Sequence, residues 1–395
     1  MKKRVLVLMS GGVDSSLAAY ILKKSGYDVI GCTMRLFLCK NQVGSPATGV
    51  LRGGQSVAKK SSEKQCCSPD DINEARRTAQ QLGIKHYVVD KKDIFEKYVI
   101  ENFVSEYLKG RTPNPCIICN LKIKFEEMLK FARGLGCDFL ATGHYARIEG
   151  QSEIGSRKLE VFLLKKGIDE TKDQSYFLYG LTQKNLPNVL FPVGNYRKTE
   201  IRKLAKKLKL SVADKKESQE ICFVEDANYR EFLETRIDAN KLKPTLVGPT
   251  EVGYKIKSGN FVNTSGKILG THKGLPFYTI GQRRGLGLSV GEPIYVVKIN
   301  TKKNEIVVGK KEELISKEFE VTDISWTFSP PKKSPITANV RIRYRHKESE
   351  AKIFLLKNNT AKIVFEKSQM SITPGQAAVF YKKDVVLGGG IIREA

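Results

Sequence analysis

The residues best suited to chemistry lie near the start, in Ser10-Gly11-Gly12-Val13-Asp14-Ser15-Ser16. An apolar run precedes this string and a helix-patterned stretch follows it. Two glycines remove side chains where a backbone must approach an anion, and a helix amino terminus offers N–H groups with a favourable dipole. The hydroxyls of Ser10, Ser15 and Ser16 add donors. A loop of this kind cradles pyrophosphate, with Asp14 either holding a magnesium ion or orienting the loop. The GxxxxGK[ST] type of phosphate loop is absent. Thiols supply the second set of reactive groups. Among eight cysteines, only Cys116 and Cys119 have the spacing of a ligand or redox pair. They sit in Thr112-Pro113-Asn114-Pro115-Cys116-Ile117-Ile118-Cys119-Asn120, where a helix over about 120–132 would put Cys119 at its amino end. That position favours the nucleophilic thiolate, and Lys122 and Lys124 strengthen the field. A zinc half-site would need a second ligand pair at suitable spacing, and the chain has none. Cys222, in Glu217-Ser218-Gln219-Glu220-Ile221-Cys222-Phe223, reads by itself as a buried residue. Cys32 and Cys137 read as small buried hydrophobes. His144 reads as an orienting or packing group, and the four histidines form no metal set.

The elements that must position these groups alternate. Apolar runs at 5–9, 29–34, 86–89 and 139–141 predict strands. Helical patterns at 15–24, 69–82, 94–107 and 120–132 fall between them, the second capped by Ser68 with Asp70 and Asp71 in its first turn. Such alternation predicts an α/β fold with a doubly wound parallel sheet and ligands beyond the carboxyl ends of the strands. A basic helix is expected at 199–210. The turn-rich segment 39–64 reads as a neutral insertion. Past Pro293 the pattern shortens to β segments at 294–299, 306–309, 340–344, 351–355, 361–365, 377–381 and 385–387, which predicts a C-terminal β-barrel. Three units follow: 1–215 for nucleotide binding and catalysis, 216–291 as a mixed linker unit touching RNA, and 292–395 as the barrel.

Charge narrows the partner. The chain has 395 residues, with 68 Lys and Arg against 42 Asp and Glu, a net charge of +26. A field of that sign favours a polyanion, although a high-lysine proteome would give the same bias. The basic residues spread along the whole chain and form no amphipathic membrane helix, so nucleic acid is preferred over a membrane surface. No apolar stretch is long enough to span a bilayer. The charged opening Met1-Lys2-Lys3-Arg4 is followed by too short an apolar run for a signal peptide, so a cytoplasmic location is expected.

The 10–16 string resembles the pyrophosphatase-loop signature of enzymes that adenylate a substrate oxygen with ATP. Taken with Gly31-Cys32-Thr33-Met34, the TPNPCIICN segment, Ala141-Thr142-Gly143-His144-Tyr145, Lys172-Asp173-Gln174-Ser175-Tyr176-Phe177-Leu178, the ESQEICF segment, Tyr278-Thr279-Ile280-Gly281-Gln282-Arg283-Arg284-Gly285-Leu286 and Arg343-Tyr344-Arg345, it resembles the tRNA-specific 2-thiouridylase family over almost the full length. The resemblance implies a sulfurtransferase that uses ATP with Mg2+. Its nucleotide would lie on Met9, Ser10, Gly11, Gly12, Val13, Asp14, Ser15, Ser16, Met34 and Gly143. The target base would meet Asn114, Pro115 and Cys116, and the tRNA would meet Lys172, Asp173, Gln174, Arg343 and Tyr344. A persulfide on Cys222 would deliver sulfur, Cys119 would release it, and a Cys119–Cys222 disulfide would close. The persulfide would come from a sulfur-relay protein or a cysteine desulfurase. One departure matters. Many family members carry aspartate where this chain has Cys116, and Cys116, Cys119 and Cys222 together could hold a [4Fe-4S] cluster with one open iron. The same loop also suits an ATP-dependent amidating ligase, and a vestigial loop would leave a tRNA-binding protein without catalysis.

Overall fold

The computed structural model describes residues 2–37, 68–151, 161–215, 221–224, 228–238, 256–331 and 333–394. The 39–64 segment, Cys66, Cys67 and 217–220 lie outside them. Strand β1 (Arg4–Leu8) runs through the middle of a five-stranded sheet, with β2 (Asp28–Arg35) and β3 (Lys85–Asp90) on one side. On the other side are β4 (Phe139–Ala141) and then β7 (Val189–Leu190), giving the order β3-β2-β1-β4-β7 with every pairing parallel. A parallel sheet needs both faces covered, which explains the unbroken Val-Leu-Val-Leu run of β1. Val5 and Val7 enter one core, with Leu17 and Ala18 of helix α1 (Val13–Lys24), Ala75 of helix α2 (Pro69–Gln81), and Ile201 and Ala205 of the helix Lys198–Lys207. Leu6 and Leu8 enter the opposite core, packed on helical stretches over 92–108 and 115–134 through Phe95, Phe103, Ile123 and Phe125. The predicted doubly wound α/β sheet is therefore present.

Capping chemistry fixes α2 as the sequence implied. Ser68 Oγ accepts from the Asp71 amide at 3.1 Å, and the Asp71 carboxylate accepts from the Ser68 amide at 3.2 Å. This reciprocal pair is a capping box. A wider π-type turn runs over Cys119–Glu127, a geometry common at functional sites.

Two additions surround the sheet. Strands β5 (Ala146–Gln151) and β6 (Val161–Lys166) form a hairpin that reaches the C-terminal strands. Strands β8 (Gly259–Asn263), β9 (Ile268–His272), β10 (Tyr295–Asn300) and β11 (Glu305–Gly309) make a small sheet in the order β10-β11-β8-β9. The expected barrel segments at 294–299 and 306–309 thus belong to this middle sheet. Alternation of apolar residues identifies a strand but not the strand it pairs with, and here β11 lies parallel to β8. The barrel itself consists of β12 (Ile315–Trp326), β13 (Ile336–Arg341), β14 (Ser349–Leu355), β15 (Ala361–Met370), β16 (Ala377–Lys382) and β17 (Val385–Glu394), closed by β12–β17 pairing. Closure removes the sheet edges. Among the described residues no helix is long and apolar enough to cross a membrane.

Candidate active site

The phosphate-loop string forms the turn from β1 into α1, and Gly12 is the residue at which the helix starts. The loop is braced internally. Ser15 Oγ accepts from the Ser10 amide at 3.1 Å and donates to the Gly12 carbonyl at 3.1 Å. Gly11 has φ +69°, and a Cβ there would stand 2.2 Å from the Asp71 carbonyl oxygen. Only glycine fits that position. Ser16 Oγ is buried and has no hydrogen-bond partner among the described residues. Such an orphaned hydroxyl beside a helix amino terminus fits a phosphate acceptor.

Two cavities meet at Ser10, Asp14 and Gln174. The smaller, 210 Å³, brings together Met9, Ser15, Met34 and Gly143, with Cys32 and Thr33 in its wall. A Cβ on Gly143 would lie 2.6 Å from the Ser15 amide nitrogen, so the β4 end and the loop touch through bare backbone. Cys32 is fully buried and its thiol is pushed up to about 12 by desolvation, which makes it an inert part of that wall. His144 is buried, pairs with Thr142 Oγ1 at 2.7 Å and sits near Phe125 and Phe191. Burial, aided by Lys124, holds its imidazole well below the usual histidine range. It is a packing and orienting group, as its position after the strand suggested. The larger cavity, 720 Å³, contains Gly12, Val13, Cys116, Lys172 and Tyr344 in its wall.

Sequence reading missed the groups that hold Asp14. Lys198 Nζ donates to both carboxylate oxygens, at 2.8 and 2.7 Å, and Tyr145 Oη donates to Oδ1 at 2.7 Å. Held in this way, Asp14 fits the orienting role. Lys215 Nζ likewise donates to the Gly11 carbonyl at 3.0 Å and to the Asp71 carboxylate. Each lysine is one of 68 basic residues, with nothing in its spacing to single it out.

The helix that carries the thiols starts earlier than expected, at Pro115 with Asn114 as its cap. Cys116 is then in the first turn, exposed, and in the wall of the larger cavity. Cys119 is a turn further in and only 9% exposed, so the field of the helix end falls on Cys116 and not on Cys119. Cys119 belongs to the apolar core beneath the sheet, and Cys222 packs against the same core. The next residue, Phe223, is wedged among Phe95, Phe103 and Phe232 with ring centroids 5.2–5.6 Å apart. Among the described residues no three His, Cys, Asp or Glu side chains are gathered closely enough to hold a metal ion. Of the three thiols named for a [4Fe-4S] cluster, Cys116 lines the larger cavity while Cys119 and Cys222 border the core beside it.

The expected RNA contacts divide. Lys172, Gln174 and Tyr344 line the larger cavity, joined by Arg345, His346 and Lys347. Arg343 is exposed beside them. These residues follow β13 in a turn, closed by the His346 amide on the Arg343 carbonyl at 3.0 Å, and not in a strand as 340–344 implied. Tyr344 packs on Phe177 with centroids 4.3 Å apart. Pro115 is buried and Asn114 half-buried, and neither lines the cavity. Asp173 departs from expectation. It is 4% exposed, and its oxygens accept from the Gly167 and Ser175 amides, Ser175 Oγ and Arg341 Nη1 at 3.0–3.2 Å. It borders the larger cavity, yet its carboxylate is already paired within the protein.

Residues 3–226 match the family model described as the tRNA methyl transferase HUP domain. Residues 252–310 match its PRC-barrel domain, and 316–392 match the aminomethyltransferase beta-barrel domain. The tRNA-specific 2-thiouridylase MnmA of Halothermothrix orenii is 46% identical over 99% of both chains. That of Clostridium beijerinckii is 43% identical over 99% of both, and that of Clostridioides difficile 42% identical over 100% of this chain and 99% of its own. A solved 4-thiouridine synthetase–RNA complex with bound ATP aligns with 62% of this chain and 52% of its own at 17% identity and TM-score 0.32, a likeness that carries no argument.

Proposed function

The chain belongs to the tRNA-specific 2-thiouridylase family, and we propose that it activates the C2 carbonyl oxygen of a wobble uridine with ATP and replaces that oxygen with sulfur. As a member of that family it is a tRNA-uridine 2-sulfurtransferase. The observation that carries the finer reading is the larger cavity, whose wall contains the phosphate loop, the Cys116 thiol and the basic aromatic turn with Tyr344 and Arg345. Three ion pairs in that wall, Lys198 with Asp14, Lys215 with Asp71 and Arg341 with Asp173, offset one another; beyond them it carries Lys172, Arg345 and Lys347 against Glu170, a surface suited to a polyanion.

In this reading the phosphates of ATP lie on residues 10–16 and its adenosine lies in the smaller cavity with Met9, Met34 and Gly143. Lys198 and Tyr145 hold Asp14, so the loop meets the nucleotide already oriented. The uridine O2 attacks the α-phosphorus and pyrophosphate leaves. The terminal sulfur of a Cys222 persulfide then attacks C2, and AMP departs with the original oxygen. Cys119 thiolate attacks the Cys222 Sγ, the electrons of the S–S bond pass to the sulfur now on uridine, and a Cys119–Cys222 disulfide remains for an external thiol to reduce. A sulfur-relay protein or cysteine desulfurase supplies the persulfide. Cys116, Lys172, Gln174, Arg343 and Tyr344 receive the RNA, with the Tyr344 ring as a stacking surface.

The test combines purified protein, ATP, a persulfide donor and unmodified tRNA, with nucleoside mass spectrometry for 2-thiouridine and a separate measure of tRNA-dependent AMP release. No 2-thiouridine would refute the reading. Cys222→Ser is expected to abolish thiolation while AMP release continues. Unchanged activity in that variant would indicate an amidating ligase, and tRNA binding without AMP release would indicate a binding protein.

A further inference from the structure

We propose that Arg341 and Asp173 form a positioning clasp that sets the RNA-binding turn of the barrel in register with the nucleotide loop. The inference rests on the thiolation reading for its substrate only. Arg341 is the last residue of β13, two positions before Arg343. Its guanidinium turns inward. Nη1 donates to Asp173 Oδ2 at 3.1 Å, Nη2 donates to Glu348 Oε1 at 2.6 Å, and the group lies over the Tyr381 ring at 5.0 Å. Lys166 of β6 closes the set, bonded to Glu348 at 2.7 Å and lying over the same ring at 4.7 Å. Each of these cations and carboxylates has a side chain no more than 20% exposed. A forked guanidinium spanning two carboxylates fixes an orientation that a point charge cannot.

From Asp173 the contacts continue to the phosphate loop. The adjoining Gln174 grips Tyr145 twice, through its amide on the Tyr145 carbonyl at 2.9 Å and through Oε1 under the Tyr145 amide at 3.0 Å. The Tyr145 hydroxyl then donates to Asp14 at 2.7 Å. A second strand of contacts leaves the same turn. Asp169 Oδ2 accepts from the Lys198 amide at 2.9 Å, and the Lys198 ammonium holds Asp14. The turn over 167–174 is thus bonded to the barrel on one side and to both partners of Asp14 on the other. Asp173 borders the larger cavity with its oxygens committed inside the protein, and the clasp gives it a role. RNA that orders residues 343–347 acts on a turn two residues from Arg341, and through the clasp on the loop that holds the nucleotide.

Arg341→Met, read by tRNA-stimulated AMP release, tests this. ATP and tRNA dissociation constants are expected to stay within about threefold of wild type, since the guanidinium touches neither in this reading. The stimulation reached at saturating tRNA is expected to fall on the order of tenfold to a hundredfold, the range for misplacing a reacting group by about an ångström. Arg341→Lys should recover part of it. In a double-mutant cycle with Tyr145→Phe the losses should fail to add, because both changes break one connected set. Additive losses, or a loss explained by tRNA affinity alone, would overturn the clasp. Should Arg341→Met not fold, Asp173→Asn preserves shape and is read in the same way, and full stimulation in that variant would equally overturn it. No tRNA-stimulated release in the wild type would overturn the thiolation reading together with the coupling, whereas stimulation intact in both variants overturns the coupling alone.

Discussion

Gly11→Ala should damage this protein through a contact that can be read directly from the structure. The added Cβ would stand 2.2 Å from the Asp71 carbonyl oxygen and 2.8 Å from its carbonyl carbon, so the two backbones must separate by more than an ångström. Neither side yields easily. Asp71 is held by its capping box with Ser68 and by Lys215, and Gly11 is anchored by Lys215 on its own carbonyl. The positive φ of +69° adds about 1 kcal/mol for any residue with a Cβ. Relief of the overlap adds about 1–3 kcal/mol. The total, about 2–4 kcal/mol, corresponds to a fall in Tm on the order of 10 °C for a unit of this size. Gly12→Ala is the internal control. Gly12 has φ −104° and its nearest neighbour to a new Cβ is Ser10 Oγ at 3.5 Å, an ordinary contact. Its Tm should stay within about 2 °C of wild type or rise slightly. Scanning calorimetry of the nucleotide-free proteins measures both, and ATP titration should show weaker binding for Gly11→Ala. Equal melting of the two variants would refute the argument that the Asp71 backbone, and not general loop flexibility, demands glycine at position 11.

Lys198→Met removes the ammonium from an ion pair whose lysine is 8% and whose aspartate is 28% exposed. Asp14 then loses both lysine bonds while the Tyr145 bond stays, so the loop should lose its set; kcat/KM for AMP formation with ATP and tRNA should fall on the order of a hundredfold, and a fall below threefold in steady-state assays would count against the role. Burial lowers the pKa of His144, so the unfolded state binds the extra proton below the ordinary histidine value of about 6.5. The stability that the neutral ring contributes is complete above that value and is lost as pH falls from it toward the lower folded-state value, at no more than about 1.4 kcal/mol per pH unit for one proton. Urea midpoints measured from pH 7.5 to pH 5 should therefore drop, and His144→Gln should flatten the curve; an unchanged slope in that variant would assign the effect to other groups.

Much of the catalytic half is legible in the sequence because its signals are local. Hydrophobic runs, a Ser-x-x-Asp cap and a glycine pair between strand and helix each depend on neighbours a few residues apart, and each was found where expected. The start of the thiol-bearing helix was missed by a turn. Pro115 is the first helical residue, a position proline occupies because it lacks the N–H that would go unpaired there. That shift moves the helix-end field from Cys119 to Cys116.

Sequence alone determined the parallel sheet, the phosphate loop between β1 and α1, the family, and the residue types available for the chemistry. Tertiary structure decided the partners. Which strands join 295–309, which of the 68 basic residues reach Asp14 and Asp71, and why Asp173 turns inward all depend on contacts between residues far apart in the chain. A lysine carries the same charge and the same local propensity wherever it stands. Its partner is set by the packing of distant elements, and for Lys198 and Asp14 the separation is 184 residues.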